Sequence, residues 1–446
     1  MKKLLLALLG VPLVFISCKK NDHNPPHSKK FTVTIENVAM PDLFLSSGII
    51  NTPVGASGPG AIKTGNSYQF VAKAGKGQRL SFVVMLAATN DVFIGPDGKG
   101  ISLYDNNGDP IASQDVTDQV YLWDAGTEVN EEPAVGPNTV TNQAGPNTGV
   151  NEHGVVQLLS KVTTDHFNYP KVNEVLKVTV KHTTGYNFMV TIENISQPKG
   201  LHTSKGDFDI PVSPGVWVIS QGDDPLFTAG KPDRSQGIEN IAEDGNPTML
   251  GQYAAANTGL LFPVSPGVWA VSKKQIMPIF QQGAKDFGKG LERIAEDADP
   301  TNLATSIATK PGIESSGVFA IPEGEVNPGA ITPGKKYQFS FTAKEGDRLS
   351  FAAMFGQSND LFYSFGDEGI MLFQKGKAVT GDITSQISLW DAGTEKNEEP
   401  GFGPNQVQRQ SAPNTGIYES NSIDMVNDGF TYPATEEVIK VTISYN

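Results

Sequence analysis

Val120-Tyr-Leu-Trp-Asp-Ala-Gly-Thr-Glu128 recurs later in the chain as Ile387-Ser-Leu-Trp-Asp-Ala-Gly-Thr-Glu395, and this pair decides how the rest is read. Both copies continue through Asn-Glu-Glu-Pro (130–133 and 397–400), Gly-Pro-Asn (136–138 and 403–405) and Pro-Asn-Thr-Gly (146–149 and 413–416). Upstream, Tyr68-Gln-Phe70, Arg79-Leu-Ser-Phe82 and Asn90-Asp-Val-Phe93 match Tyr337-Gln-Phe339, Arg348-Leu-Ser-Phe351 and Asn359-Asp-Leu-Phe362. Glu174-Val-Leu-Lys-Val-Thr-Val180 matches Glu437-Val-Ile-Lys-Val-Thr-Ile443, and Phe31-Thr-Val-Thr-Ile-Glu-Asn37 matches Phe188-Met-Val-Thr-Ile-Glu-Asn194. A long-period internal repeat means duplicated structure. Read linearly, the first module covers 31–183 and the second 186–446.

The shared segments are strand-like. Thr32-Val-Thr-Ile and Lys177-Val-Thr-Val-Lys alternate polar with apolar residues and are β-branched, which suits a half-buried strand. Gly 47 and Pro 30 make up about 17% of the 446 residues, above the average of about 12%, so turns are frequent. Short strands with many turns predict an all-β protein of two antiparallel sandwiches. Trp123 and Trp390 are expected at the sheet edge.

The second module has additional residues, 206–312, that form a smaller repeat. Pro211-Val-Ser-Pro-Gly-Val-Trp-Val218 returns as Pro263-Val-Ser-Pro-Gly-Val-Trp-Ala270, and Gly237-Ile-Glu-Asn-Ile-Ala-Glu-Asp244 as Gly290-Leu-Glu-Arg-Ile-Ala-Glu-Asp297. The i, i+3, i+4 spacing of Ile238, Ile241 and Ala242, and of Leu291, Ile294 and Ala295, predicts short amphipathic helices. Pro247 and Pro300 are expected to open the next helices at the N1 position. Trp217 and Trp269 are expected in the core. On this reading the second sandwich alone carries a small helical insert.

The N-terminus reads as an export signal. Lys2 and Lys3 precede an apolar run from Leu4 to Ile16 and then Ser17-Cys18, too short to span a bilayer as a helix. Cys18 is the only cysteine, and its position fits a lipid-modified N-terminus after cleavage at residue 18. Residues 19–30, with His23 and His27, read as a flexible tether. The expected location is the outer membrane or cell surface, facing outward or toward the periplasm, with the membrane held through Cys18. The net charge of −14 argues against nucleic acid as a partner.

No nucleophile–base or phosphate-binding motif stands out. His153, His166 and His182 lack counterparts in the second copy, where Glu419 or Ser420 sits near the place of His153. What repeats is carboxylate: Asp91, Asp124 and Glu128, and Asp360, Asp391 and Glu395. Oxygen donors without imidazole or thiolate suit calcium, and the Asp-Ala-Gly-Thr-Glu string sets two acids around a glycine that permits a tight bend. Two other readings stay open on the residues alone. The acids could be turn residues, or a glycosidase-like Asp/Glu pair. Glu131, Glu132, Glu398, Glu399 and Glu419 read as solvated loop faces.

The strings 348–354, 358–362, 381–384 and 389–395 resemble the spondin domain of extracellular-matrix and bacterial exported proteins. The likeness covers most of 186–446 and, less fully, 31–183. It implies C2-like sandwiches without catalysis, and calcium held by Asp91, Asp124 and Glu128 in one copy and by Asp360, Asp391 and Glu395 in the other. The last acid is Glu here where the animal proteins carry Asp. The expected function is a lipid-anchored, calcium-binding module for adhesion to a protein or glycan partner. A carbohydrate-active enzyme and a purely structural surface lipoprotein are the alternatives.

Overall fold

A computed structural model describes residues 28–446, with 35% of the chain in strands and 11% in helices. The expected signal peptide, Cys18 and most of the tether lie outside the described residues. Lys29 and Lys30, assigned to the tether, already belong to the first strand, β1 (Lys29–Asn37). In chain order there follow β2 (Ser46–Ile50), β3 (Ser67–Lys73), β4 (Arg79–Leu86), β5 (Val92–Pro96), β6 (Ser113–Asp115), β7 (Val120–Asp124) and β8 (Gln157–Leu158). Next come β9 (Leu176–Thr184), β10 (Asn187–Asn194), β11 (Val212–Ser220), α1 (Ile238–Asp244) and α2 (Thr248–Ala256). The C-terminal half adds β12 (Val264–Lys273), α3 (Leu291–Asp297), α4 (Thr301–Ala308), β13 (Ile313–Phe319), β14 (Lys336–Ala343), β15 (Asp347–Phe355) and β16 (Leu361–Ser364). It ends with β17 (Gly381–Asp382), β18 (Ser388–Asp391), β19 (Asp424–Met425) and β20 (Ile439–Tyr445).

The strands form antiparallel sheets stacked in pairs. A four-stranded sheet, β3-β10-β9-β6, faces a seven-stranded one whose main path is β2-β11-β4-β5-β7-β8. Tyr68, Val178, Phe188 and Ile192 of the first share one buried core with Phe82, Val84, Ile94 and Trp217 of the second. The same plan repeats with β14-β1-β20-β17 facing β13-β12-β15-β16-β18-β19. There Phe31, Val33, Tyr337 and Val441 meet Trp269, Phe351 and Phe355.

The helices cover the outer face of each larger sheet. Ile238, Ile241 and Leu250 pack on Val83, Met85, Phe93 and Trp123. Leu291, Ile294 and Leu303 pack on Val268, Ala352, Phe362 and Trp390. This layering explains the two strand patterns. The four-stranded sheets have one wet face, so β1 alternates buried and half-exposed positions. The larger sheets are buried on both faces, so β4 and β15 are nearly continuous apolar runs. Trp123 and Trp390 therefore lie under the helical layer against Phe227 and Phe280, not at a sheet edge. Trp217 and Trp269 are core residues, as expected, stacked on Phe70 and Phe339. Pro247 and Pro300 sit at the N-cap, one place before the expected N1.

Strand pairing does not respect the linear division at 183/186. β1 pairs with β14 and β20, far along the chain, and so completes the C-terminal sandwich. β10, assigned to the second module, pairs with β3 and β9 in the first. β11, carrying the first Ser-Pro-Gly-Val-Trp, pairs with β2 and β4, and its helices α1 and α2 cover that same sheet. Each sandwich thus has one such strand and one helix pair, and the helical layer is not an insert of the second alone. The two sandwiches touch through the Lys73–Glu399 ion pair, a Gln78 Nε2 bond to the Gly401 carbonyl at 2.7 Å, and Tyr186 stacked on Phe402.

Candidate metal centre

At one end of each larger sheet two loops are tied together by a buried asparagine. In the first sandwich the turn after β4 is closed by the Thr89 hydroxyl, which donates to the Leu86 carbonyl and accepts from the Val92 amide. Asn90 follows. Its amide donates to Glu128 Oε2 and the Val129 carbonyl, and its oxygen accepts from the Glu131 amide. This holds the Asp-Ala-Gly-Thr-Glu loop beside Asp91. Asp91 Oδ2 accepts the Thr127 and Glu128 amides at 2.9 and 3.1 Å, and Oδ1 accepts the Thr127 hydroxyl at 2.6 Å. Gly126 makes the bend at φ 70°, and Asp124 Oδ1 accepts its amide.

The bend decides which acid reaches the cluster. It brings the Glu128 amide to Asp91, while the Glu128 carboxylate turns away and accepts the Gly149 amide at 2.7 Å. The Glu128–Asn151 bridge and a bond from the Glu152 amide to the Thr127 carbonyl then lay 149–152 alongside. Carboxylate oxygens of Asp91, Asp124 and Glu152 come within 4.8 Å of one another. The C-terminal sandwich repeats this with Asp360, Asp391 and Glu419, while Glu395 accepts the Gly416 amide at 2.8 Å. So Asp91, Asp124, Asp360 and Asp391 stand where the sequence puts them. Glu152 and Glu419 hold the places expected for Glu128 and Glu395. Glu419, read as a solvated loop residue, belongs to the site.

These carboxylates are poorly compensated. No lysine or arginine pairs with any of the six among the described residues. Burial pushes Asp91 well above the usual carboxylate range, opposed by the Thr127 hydroxyl bond and reinforced by the Asp124 charge. Burial, then the Asp391 charge, does the same to Asp360. Asp124, Asp391 and Glu152 are also raised, chiefly by burial. Asp360 Oδ1 is buried and has no hydrogen-bond partner, because the Thr394 hydroxyl does not reach it as Thr127 reaches Asp91. A buried carboxylate oxygen without a partner, on a residue clustered with two further acids, is costly unless a proton or a cation is present. The donor set is all oxygen.

Other residues around the centres also belong to repeated strings of the sequence. The Tyr169 hydroxyl donates to Asp165 and Tyr432 to Asp428, and both phenols are raised chiefly by burial, then by that aspartate, with charge from the cluster acids adding to it. They come from a repeated Asp-x-Phe-x-Tyr-Pro (165–170, 428–433), just as Glu152 and Glu419 end a repeated Pro-Asn-Thr-Gly-x-x-Glu. Glu243 and Glu296 project from α1 and α3 and are buried, with both carboxylate oxygens of the first and Oε2 of the second lacking partners. Of the other acids read as solvated, Glu131 and Glu398 are half-buried and cap Asn138 and Asn405, and Glu399 pairs with Lys73. Beside the first centre a cavity of about 740 Å³ is lined by Tyr121, Leu158, Phe167, Tyr169 and Lys171. No protein-family model matches the chain, and a search of curated proteins returns no match.

Proposed function

We propose that this chain is a two-centre calcium-binding protein, exported and lipid-anchored through Cys18, which binds a protein or glycan partner rather than turning over a substrate. The observation that carries the reading is the duplicated carboxylate cluster, in one copy of which Asp360 keeps a buried oxygen without a hydrogen-bond partner. A divalent ion would neutralise charges that burial otherwise forces toward protonation. Three carboxylates on loops and a strand end that still admit carbonyls and water suit the six to eight oxygens of calcium better than the strict octahedron of magnesium, and the lack of imidazole and thiolate disfavours zinc. The likeness of 348–354, 358–362 and 389–395 to spondin domains supports the same metal and a binding role. The basic and apolar leader ending in Ser17-Cys18 supports the anchor.

In this reading each ion fastens the loop after β4 to the loop after β7, and so stiffens the end of the sandwich that meets the partner. The cavity lined by Tyr121, Phe167 and Tyr169 offers apolar rings together with polar groups such as Asp118 and Lys171. Calorimetric titration of the chain with calcium tests the metal, with magnesium and zinc as competitors. Two sites are expected, one lost in Asp91→Asn and the other in Asp360→Asn. Absence of heat together with an unchanged melting temperature at millimolar calcium overturns the assignment.

A further inference from the structure

β1 is the one strand of the C-terminal sandwich that arrives from the far end of the chain. It is nevertheless central in its sheet, hydrogen-bonded to β14 on one side from Lys29 to Glu36 and to β20 on the other from Phe31 to Asn37. Its counterpart β10 fills the same position between β3 and β9. The two strands differ at only one place between Phe31–Asn37 and Phe188–Asn194, and that place points outward. Their inward residues are the same four: Phe, Val, Ile and Asn, all buried.

The closing asparagines make matching bonds. Asn37 Nδ2 donates to the Phe262 and Ile331 carbonyls at 2.7 and 3.0 Å, and its oxygen accepts the Ala39 amide. Asn194 Nδ2 donates to the Ile62 and Ile210 carbonyls at 3.1 and 2.7 Å, and its oxygen accepts the Ser196 amide. Recognition of β1 therefore lies in the strand and the groove, extended by one bond from the Val38 amide to the Val438 carbonyl just beyond the strand. β10 is locked to its sandwich by the short turn from β9. β1 is joined only through 38–45, which is anchored to the N-terminal sandwich at Phe44 but crosses between the two with Met40 74% and Leu43 56% exposed.

We propose that β1 is exchangeable between copies, so that two molecules of this chain associate by each lending its N-terminal strand to the other's C-terminal sandwich. Every ladder bond and inward contact of β1 is kept in the exchanged pair, and only the 38–45 crossing takes a new path. Such an exchange of identical elements is a low-cost route to a two-fold dimer. A short linker holds the chain's own strand at an effective concentration on the order of millimolar, so the exchanged form grows as the concentration during folding approaches that value. Once formed it persists, because release breaks two ladders at once.

Thr32 and Ser340 provide the test. They face each other in the β1–β14 register with hydroxyl oxygens 2.9 Å apart on the exposed face. With Cys18→Ser in all chains, one chain carries Thr32→Cys and another Ser340→Cys. The two are mixed, refolded together across a range of concentrations and oxidised. A disulfide-linked dimer is expected, its yield rising about tenfold for each tenfold rise in concentration below the millimolar range. The single chain carrying both substitutions is expected to close an internal disulfide at low concentration. The proposal is overturned if the mixture stays monomeric at every concentration while the double variant closes. It is equally overturned if the double variant does not close, since the register it starts from would then be wrong.

Discussion

Replacing Glu243 and Glu296 by glutamine should stabilise this protein at alkaline pH and leave it nearly unchanged in acid. Both side chains are buried between a short helix and the acidic loop, with both carboxylate oxygens of Glu243 and Oε2 of Glu296 lacking a hydrogen-bond partner. Burial pushes each from an ordinary 4.5 up to about 8, opposed by Thr127 or Thr394 and reinforced by Glu128 or Glu395. Between pH 4.5 and about 8 the folded chain holds a proton that the unfolded chain has released, so stability falls as pH rises through that window. At about 1.4 kcal/mol per pH unit the full displacement is worth about 4 kcal/mol per site by pH 8. Water entering with the charged form screens this, and roughly 2 kcal/mol per site is the effect to look for. Glutamine has nearly the same shape and no charge to develop. In chelator, each variant is therefore expected to melt roughly 5 °C above the parent at pH 8 and within a degree or two of it at pH 5. Differential scanning calorimetry across that range reads the difference directly. Equal destabilisation of the variants at both pH values would refute the argument, because it would mean that the carboxylates are ionised and paired in the folded chain.

Asp360→Asn is expected to have opposite effects with and without metal. It should raise the melting temperature in chelator, by relieving a buried charge, and remove the gain that calcium gives the C-terminal sandwich, about 2.7 kcal/mol at a hundredfold excess over Kd. Thermal melts with and without calcium read both signs. Phe31→Ala should cost about 3–5 kcal/mol by opening the C-terminal core. Hydrogen exchange should then quicken in β14 and β20 and stay unchanged in β3 and β9, whereas quickening in β3 and β9 would place the strand in the other sandwich. Gly317→Ala would set a Cβ 2.8 Å from Trp269 Nε1 and should cost about 1–3 kcal/mol, seen as a shift in tryptophan fluorescence and a lower melting temperature.

Much of the architecture is written locally. Alternation in 31–37 and 177–181 marks one-sided strands, the apolar runs at 79–86 and 348–355 mark strands covered on both faces, and the 3.6-residue spacing after Gly237 and Gly290 marks the helices that do the covering. Four of the six cluster acids, Asp91, Asp124, Asp360 and Asp391, were likewise legible, because each follows an asparagine or a tryptophan in a repeated string. The third acid was not. Position along the loop suggests Glu128 and Glu395, but which end of a residue faces the site depends on the chain reversal at Gly126 and Gly393. The repeated Glu152 and Glu419 become neighbours of the aspartates only through a bridge between segments more than twenty residues apart.

By itself the sequence determined that there are two copies of one β unit, which faces of its strands are buried, and that its recurring chemistry is carboxylate. Only the tertiary structure decided which copy each strand completes. A side-chain pattern records the environment of a strand but not the identity of its ladder partners, which are non-local backbone groups. Phe31–Asn37 and Phe188–Asn194 present the same inward face and would satisfy either groove, so nothing in their composition assigns them. The assignment comes from the reach of the connections: β10 is bound by a tight turn to β9, while β1 is free to cross to the sandwich that the end of the chain builds.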